Sequence, residues 1–304
     1  MRLLTRSDFD GLACGAVLRA LEIVEEKNFK FVHPKDIQDG LVEANENDIL
    51  ANIPYIKGAG YWFDHHSSES IRLGDKQDFK GESRIADSAA RVIYDFYDGA
   101  NKLPHFKEMI YYVDKVDSGK LTREEILNPT GWVLLGFIMD PRTGLGRFRN
   151  FTISNYALME KLMESCRTLD IEEILQDSDV AERVEVYFEQ DKLFKEMLLA
   201  HTRVDGNVII TDLRNVETIY TGNRFLVYSL FPEQNISIWA VDGRAKINCP
   251  LAVGYSVLNR TATLDVGALM LKFGGGGHHQ VGTCQVPYDD ADNVIAEIVR
   301  EANK

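Results

Sequence analysis

Two clusters of metal-binding side chains, each directly after a short apolar run, constrain this chain more than any other feature of its sequence. Asp8 and Asp10 follow the run Arg2-Leu3-Leu4-Thr5, and Asp64-His65-His66 follow Gly60-Tyr61-Trp62-Phe63. Short apolar runs indicate buried strands, and an α/β sheet binds its ligands at the carboxyl ends of its parallel strands. The sequence therefore predicts an α/β protein with a polar site at one edge of its first sheet.

The segments between these clusters complete the predicted sheet. The apolar periodicity from Leu12 to Val24 predicts an amphipathic helix, and Phe29 to Val32 and Asp48 to Ile53 are typical of two further strands. Asn52 stands near the carboxyl end of the last of these. Because parallel strands end at the same edge, we expect six polar side chains to converge there: Asp8, Asp10, Asn52, Asp64, His65 and His66.

This mixture of ligands favours one class of metal. Carboxylates and imidazoles together suit manganese or a similar divalent ion better than a thiolate-bound zinc. The four cysteines are scattered, without a Cys-x-x-Cys pair, which argues against a zinc ribbon or a redox motif. They are expected to be reduced thiols of a cytoplasmic protein.

Taken in order, the motifs resemble those of the DHH phosphoesterases, a family of pyrophosphatases, exopolyphosphatases, single-strand exonucleases and enzymes that degrade very short RNAs or nucleotide bisphosphates. Asp8-x-Asp10-Gly11 is similar to the first motif, Asn52 stands at the second, Asp64-His65-His66 is the third and Val116-Asp117-Ser118-Gly119 is similar to the fourth. Phe273 to His278 resembles the glycine-rich signature of the DHH-associated C-terminal domain.

Two positions depart from the family pattern. The resemblance implies a histidine ligand where Arg6 stands and a metal-bridging aspartate where Asn52 stands. Arginine cannot bind a metal, but its guanidinium is suited to phosphate. We therefore favour one Mn²⁺ over two, with Mg²⁺ as the alternative ion. The resemblance implies these ligands: Asp8, Asp10, Asn52, His65 and Asp117.

The resemblance also implies catalytic roles. Arg6 and His66 are expected to stabilise charge on a phosphate, and His66 is a candidate to protonate the leaving oxygen. Asp64 is expected to orient His65 rather than to bind metal. The alternative is a polar cluster whose members satisfy one another without any metal.

Candidate substrate-binding residues are arginines near predicted helix ends or in loops, together with the glycine run. Each has an ordinary structural alternative, namely helix capping, pairing with neighbouring acids, or a helix stop. Where the family usually has Gly-His-Arg, this chain has His279 after Gly277 and His278. The candidates are Arg91, Arg142, Arg260, Gly275, Gly276, Gly277, His278 and His279.

The pattern predicts three segments: a DHH domain over residues 1–150, a helical connector over 151–203, and a smaller α+β domain over 204–304, with the active site in the cleft between the two domains. In the last segment Val208 to Thr211, Arg224 to Phe231 and Ile236 to Val241 are interpreted as strands. Helices are predicted over Asp265 to Phe273 and Asp289 to Ala302.

Composition limits the partners. The net charge of −13 argues against long duplex DNA, whose binding requires many cations. A small phosphorylated substrate or a short single-stranded oligonucleotide remains compatible. No apolar stretch predicts a membrane segment or a signal peptide. The charged helix from Asp179 to Leu199 is compatible with a homodimer.

We therefore predict a metal-dependent phosphoesterase acting on a short oligonucleotide or a nucleotide bisphosphate rather than on polyphosphate. The alternative is a protein of the same fold that binds a phosphorylated ligand without hydrolysing it, which the residues Arg6 and Asn52 favour.

Overall fold

A computed structural model describes residues 1–66 and 79–304. The chain divides into two compact units. The first unit contains Met1–Lys120 and Pro129–Tyr187, and the second contains Leu121–Asn128 and Phe188–Lys304. Each unit has its own sheet.

The first unit is built on a parallel sheet, as the apolar runs predict, but the sheet has five strands where four were predicted. Leu4, Leu50 and Trp62 lie in one row across neighbouring strands and are buried with Val32 and Ile53 on one face. The strand order is β2-β1-β3-β4-β5, and the strands are β1 (Arg2–Thr5), β2 (Phe29–Phe31), β3 (Asp48–Ala51), β4 (Tyr61–Asp64) and β5 (Gly81–Ser83).

Helix α1 (Phe9–Ala20) covers the sheet and is almost wholly buried. Asp8 caps its first turn, with the carboxylate accepting from the Gly11 amide at 2.9 Å. Gly11 is required here because a Cβ atom would stand 1.9 Å from the Arg6 carbonyl oxygen. The helices of this unit are α1 (Phe9–Ala20), α2 (Pro34–Gln38), α3 (Ala89–Phe96), α4 (Gly99–Lys102), α5 (Lys107–Asp117), α7 (Gly131–Met139), α8 (Asn155–Thr168) and α9 (Ile171–Gln176), while α6 (Arg123–Leu127) belongs to the second unit.

Helix α10 (Ser178–His201) contributes residues to both units. The second unit has a mixed six-stranded sheet of order β10-β11-β9-β8-β7-β6, in which only β7 and β8 run parallel. Its elements are β6 (Thr202–Asp205), β7 (Val208–Asp212), α11 (Leu226–Leu230), β8 (Ile236–Ala240), β9 (Asn248–Tyr255), α12 (Val266–Lys272), β10 (Gly276–His278), β11 (Val281–Pro287) and α13 (Ala291–Ala302).

The strand predicted over Arg224 to Phe231 is wrong, because this segment contains helix α11. Asn223 starts the turn: its side-chain oxygen accepts from the Phe225 amide at 2.9 Å, and its carbonyl accepts from the Leu226 amide at 2.9 Å. This local capping and the burial of Leu226 and Val227 outweigh the strand preference of the apolar residues.

The glycine run forms part of the sheet of the second unit. Gly276–His278 forms strand β10, which pairs antiparallel with β11. A Cβ atom on Gly275 would stand 2.1 Å from the Thr283 carbonyl oxygen, and one on Gly277 would stand 2.2 Å from that of Val281. The glycines therefore allow close backbone approach within a sheet.

Within residues 1–66 and 79–304, no helix combines the length and the apolar character that crossing a bilayer requires.

Candidate active site

The carboxyl edge of the first sheet gathers the polar side chains that the sequence predicted there. Asp8 and Asp10 follow β1, Asn52 follows β3, and His65 follows β4. Asp117 ends helix α5 and joins them. All of these residues belong to the first unit, so its topology alone builds the cluster.

Three of these residues form a cluster suited to a divalent cation. Ligand atoms of Asp10, His65 and Asp117 lie within 4.8 Å of one another. The His65 Nε2 atom is 3.3 Å from Asp117 Oδ2 and 3.7 Å from Asp10 Oδ2. This set of two carboxylates and one imidazole fits manganese, and magnesium is the natural alternative.

The hydrogen-bond contacts of His65 support this interpretation. Its Nδ1 atom lies 3.2 Å from the Ala86 carbonyl oxygen, which can only accept, so Nδ1 carries the proton. Its Nε2 atom is buried and has no hydrogen-bond partner in the described part of the chain. An imidazole with one nitrogen held by a carbonyl, and the other facing carboxylates without a hydrogen bond, is the arrangement of a metal ligand.

Asp10 is held by the start of helix α3. Its two oxygens accept from the Ala89 and Ala90 amides at 2.9 and 2.8 Å, and Ser88 caps the same helix. Burial, with repulsion from Asp117 and Asp8, raises the pKa of Asp10 well above its usual range despite these two hydrogen bonds. A bound cation would relieve both effects.

Asp8 has a different set of partners. Its Oδ1 accepts from Asn52 Nδ2 at 3.0 Å as well as from the Gly11 amide, and its Oδ2 lies 3.1 Å from Arg6 Nε. Burial raises the pKa of Asp8, although the Arg6 guanidinium opposes this. Asn52 has a positive φ of 57°, a conformation that asparagine tolerates well. The two residues that depart from the family pattern therefore both contact Asp8, Asn52 through a hydrogen bond and Arg6 through an ion pair.

The expected role of Asp64 needs a correction. Asp64 is fully buried, but it contacts His66 rather than His65: its Oδ1 lies 2.9 Å from His66 Nδ1, and its Oδ2 accepts from the His66 amide at 3.2 Å. The carbonyl of Ala86 takes the place that Asp64 was expected to have beside His65. Burial opposes a charged His66, but Asp64 outweighs it and raises the pKa of His66 to about 9.

Two cavities open at this site. A small one of about 10 Å³, room for one water-sized group, is lined by Asp8, Asp10, Asp117 and Arg142. A larger one of about 740 Å³ is lined by Arg6 and Arg142 among others. Arg142 therefore lines both cavities, while its guanidinium pairs with Asp140 at 2.7 Å.

The remaining predicted substrate-binding residues have other partners in the structure. Arg91 donates twice to Asp114, at 2.8 and 2.9 Å. In the second unit, Arg260 Nε donates to the Val257 carbonyl at 3.0 Å, and His279 Nδ1 lies 3.4 Å from Asp265. Strand β10 carries the other candidates, Gly276, Gly277 and His278, and Gly275 precedes it. Substrate contact by these residues stays a prediction.

Sequence reasoning missed three contributors to the site. These are the backbone amides of Ala89 and Ala90 and the carbonyl of Ala86. Ser88 followed by an apolar helical pattern indicates a helix start whose amides can face an anion, but it does not indicate that this anion is Asp10.

Comparison with known proteins gives a close structural relative. No sequence-family profile and no curated protein matches the chain. A pGpG-specific phosphodiesterase, PggH from Vibrio cholerae, is 46% identical, with a TM-score of 0.85 over 99% of this chain and 98% of that one. The Mn²⁺ complex of RecJ from Thermus thermophilus is 12% identical, with a TM-score of 0.51 over 99% of this chain and 52% of that one, and shares the fold.

Proposed function

The chain belongs to the DHH phosphoesterase family, and on this basis we propose that it hydrolyses the phosphodiester bond of a short guanine dinucleotide, pGpG or a close analogue. The observation that carries the proposal is 46% identity to a pGpG-specific phosphodiesterase over nearly the whole length of both chains. The charge balance agrees with it, because a small anionic substrate needs only a locally cationic site.

The residues that would hold a divalent ion are Asp10, His65 and Asp117. Mn²⁺ is our choice, and Mg²⁺ suits the same ligands. When bound, the ion supplies polarisation of a phosphoryl oxygen and a bound water with a lowered pKa.

The chain's own cations complete the site. Arg6 is fixed against Asp8 and lines the larger cavity, so its guanidinium is available to a phosphate there. Arg142 pairs with Asp140 and also lines the larger cavity, so its guanidinium is likewise available to a phosphate. His66, with Nδ1 held by Asp64, has its Nε2 atom as the proton donor for the leaving oxygen. Asp64 acts as a positioning residue for His66.

A second candidate function rests on the environment of Asp8. Because Arg6 and Asn52 satisfy this carboxylate, the site fits one cation where the family pattern implies two. A site with half the usual charge could bind a phosphorylated ligand without cleaving it. The chain would then be a nucleotide-binding regulatory protein.

One assay separates the two functions. The purified chain is incubated with pGpG and excess Mn²⁺, and release of GMP is followed by chromatography. A hydrolase converts pGpG to GMP, and His65→Ala lowers the rate by at least about 100-fold because the imidazole ligand is lost. His105→Ala, an exposed histidine outside the cluster, is the matched control and keeps the rate.

Binding of pGpG without hydrolysis, in Mn²⁺ and in Mg²⁺, would support the regulatory protein. If the chain neither binds nor hydrolyses pGpG, both proposed functions are wrong.

A further inference from the structure

The larger cavity of the first unit is bounded mainly by residues that the catalytic assignment does not use, together with Arg6 and Arg142. It measures about 740 Å³, within the usual range for small-molecule sites. Arg6 and Arg142 form part of its wall, and Arg6 lies 3.1 Å from Asp8. Since Arg142 also lines the small cavity among Asp8, Asp10 and Asp117, the larger cavity adjoins the proposed metal cluster. A nucleotide whose phosphate is at the cluster can extend into this space.

Aromatic rings provide a second part of the wall. Phe31 and Tyr156 stack with ring centres 5.3 Å apart and planes 15° apart, although Tyr156 is 61% exposed. Phe148 and Phe151 also line the cavity. Exposed aromatic rings beside cationic side chains are the combination on which proteins stack nucleobases while holding their phosphates. The cavity therefore has a cationic part for phosphate and an aromatic part for a base.

One acidic residue stands among these side chains. The ionisable lining residues are Arg6, His33, Arg142, Arg149 and Asp36, so Asp36 is the one carboxylate of the cavity wall in the described part of the chain. A carboxylate repels a phosphate, so Asp36 does not serve the phosphate end. It can only accept hydrogen bonds. A ligand that gains from Asp36 must present donors to it.

Guanine meets this requirement better than the other bases. Its Watson–Crick edge has two adjacent donors, the ring N1–H and the exocyclic N2–H₂ group, and a carboxylate can accept both. Adenine has one donor beside an acceptor nitrogen, which would face the carboxylate unfavourably. We propose that this cavity is the guanine-binding pocket and that Asp36 determines specificity by accepting hydrogen bonds from the guanine edge. This inference rests on the proposed function for the identity of the substrate.

Nucleotide binding tests this role without requiring hydrolysis. The full chain, in excess Mn²⁺, is titrated calorimetrically with GMP and with AMP. The wild type is expected to bind GMP at least about 10-fold more tightly, and Asp36→Asn is expected to lower the GMP-to-AMP preference roughly 10- to 100-fold, the usual value of one bidentate base contact.

Matched variants keep the test specific. Asp39→Asn removes an exposed carboxylate three residues further on, which pairs with Lys35 and does not line the cavity, and it is expected to keep the preference. Asp36→Glu retains a carboxylate and is expected to keep most of it. Equal binding of GMP and AMP by the wild type, or an unchanged preference in Asp36→Asn, would overturn the assignment.

The two proposals fail separately. If pGpG is not hydrolysed but GMP is preferred and the preference depends on Asp36, the guanine pocket stands and the hydrolase does not. If pGpG is hydrolysed while GMP and AMP bind equally, the hydrolase stands and the assignment of Asp36 is wrong.

Discussion

Asp8 and Asp10 are two residues apart and follow the same strand, yet their carboxylates have different partners. The side chain of Asp8 receives hydrogen bonds from Gly11 and Asn52 and an ion pair from Arg6. Asp10 accepts hydrogen bonds from two backbone amides. It lies beside the Asp117 carboxylate and the His65 Nε2 atom, which has no hydrogen-bond partner among the described residues. The first carboxylate has a cationic partner within the protein, and the second lies at the cluster where we propose that the ion binds.

The difference agrees with the proposal of one bound ion where the family pattern implies two. An arginine and an amide beside Asp8 supply the positive charge and donors that a second cation would supply. On the Asp10 side, the contact within ion-pair distance among the described residues comes from the His65 imidazole and not from an arginine or a lysine. The following experiments either break this asymmetry or measure it.

The largest effect is expected from Asp117→Asn. The amide is a much weaker ligand than the carboxylate, so Mn²⁺ affinity measured by calorimetry should fall by at least about 100-fold, with a similar loss of any hydrolysis. Glu108→Gln, exposed on the same helix, is the control and should change neither. Normal Mn²⁺ affinity in Asp117→Asn would show that the ion binds elsewhere.

Restoring the residues of the family pattern should remove the asymmetry. In the double variant Arg6→His and Asn52→Asp, an imidazole and a carboxylate replace the guanidinium and the amide that contact Asp8. The number of Mn²⁺ ions bound per chain is expected to rise from one to two by calorimetry. Two ions bound by the wild type, or one by the double variant, would contradict the assignment of Arg6 and Asn52 as replacements for a second ion.

Asn52→Asp alone should cost stability. The buried amide that donates to Asp8 at 3.0 Å becomes a second carboxylate, so a hydrogen bond is replaced by repulsion. We expect the metal-free variant to lose about 2–4 kcal/mol of unfolding free energy in urea. Asn101→Asp is the matched control, because Asn101 donates to Asp98 at 2.9 Å in an exposed pair, and it should lose less than about 0.5 kcal/mol. Equal losses would show that burial of the Asn52 contact is unimportant.

The smallest effect is expected at the opposite end of the sheet, where Asp48 accepts from Arg2 at 2.7 and 2.8 Å. Burial alone would raise the pKa of Asp48, but hydrogen bonds from Arg2 and the Asn45 amide lower it below the ordinary value of 3.8. Asp48→Asn should lower unfolding free energy by about 1–2 kcal/mol at neutral pH and leave Mn²⁺ affinity unchanged.

Because the folded-state pKa of Asp48 is lowered, its stabilising contribution is present above pH 3.8 and is lost as the pH falls through the folded value. The difference between wild type and Asp48→Asn should therefore shrink only in acid. Urea unfolding measured from pH 3 to pH 7 checks this, and a difference that shrinks near neutrality would point to another titrating group.

Much of the first unit could be predicted from local pattern. The strands at Arg2–Thr5 and Tyr61–Asp64 and the cluster after them follow from short apolar runs that end in polar residues. The second unit was harder, because β-branched and aromatic runs there occur in helix α11 as well as in strands. Strand β10 was missed because Gly276 and Gly277 carry no apolar pattern, and only pairing with β11 makes Gly276–His278 a strand.

By itself, the sequence determined the order of the motifs, the parallel sheet and the metal-binding character of its edge, because strand periodicity and ligand type are local properties. Only the tertiary structure decided the partners. It placed Asp64 on His66, gave His65 the carbonyl of Ala86, and brought the amides of α3 to Asp10. It also turned Arg6 and Asn52 toward Asp8 and put Asp36 beside the aromatic rings of a cavity. These contacts depend on how elements far apart in the chain pack, and local sequence does not encode which donor reaches which carboxylate.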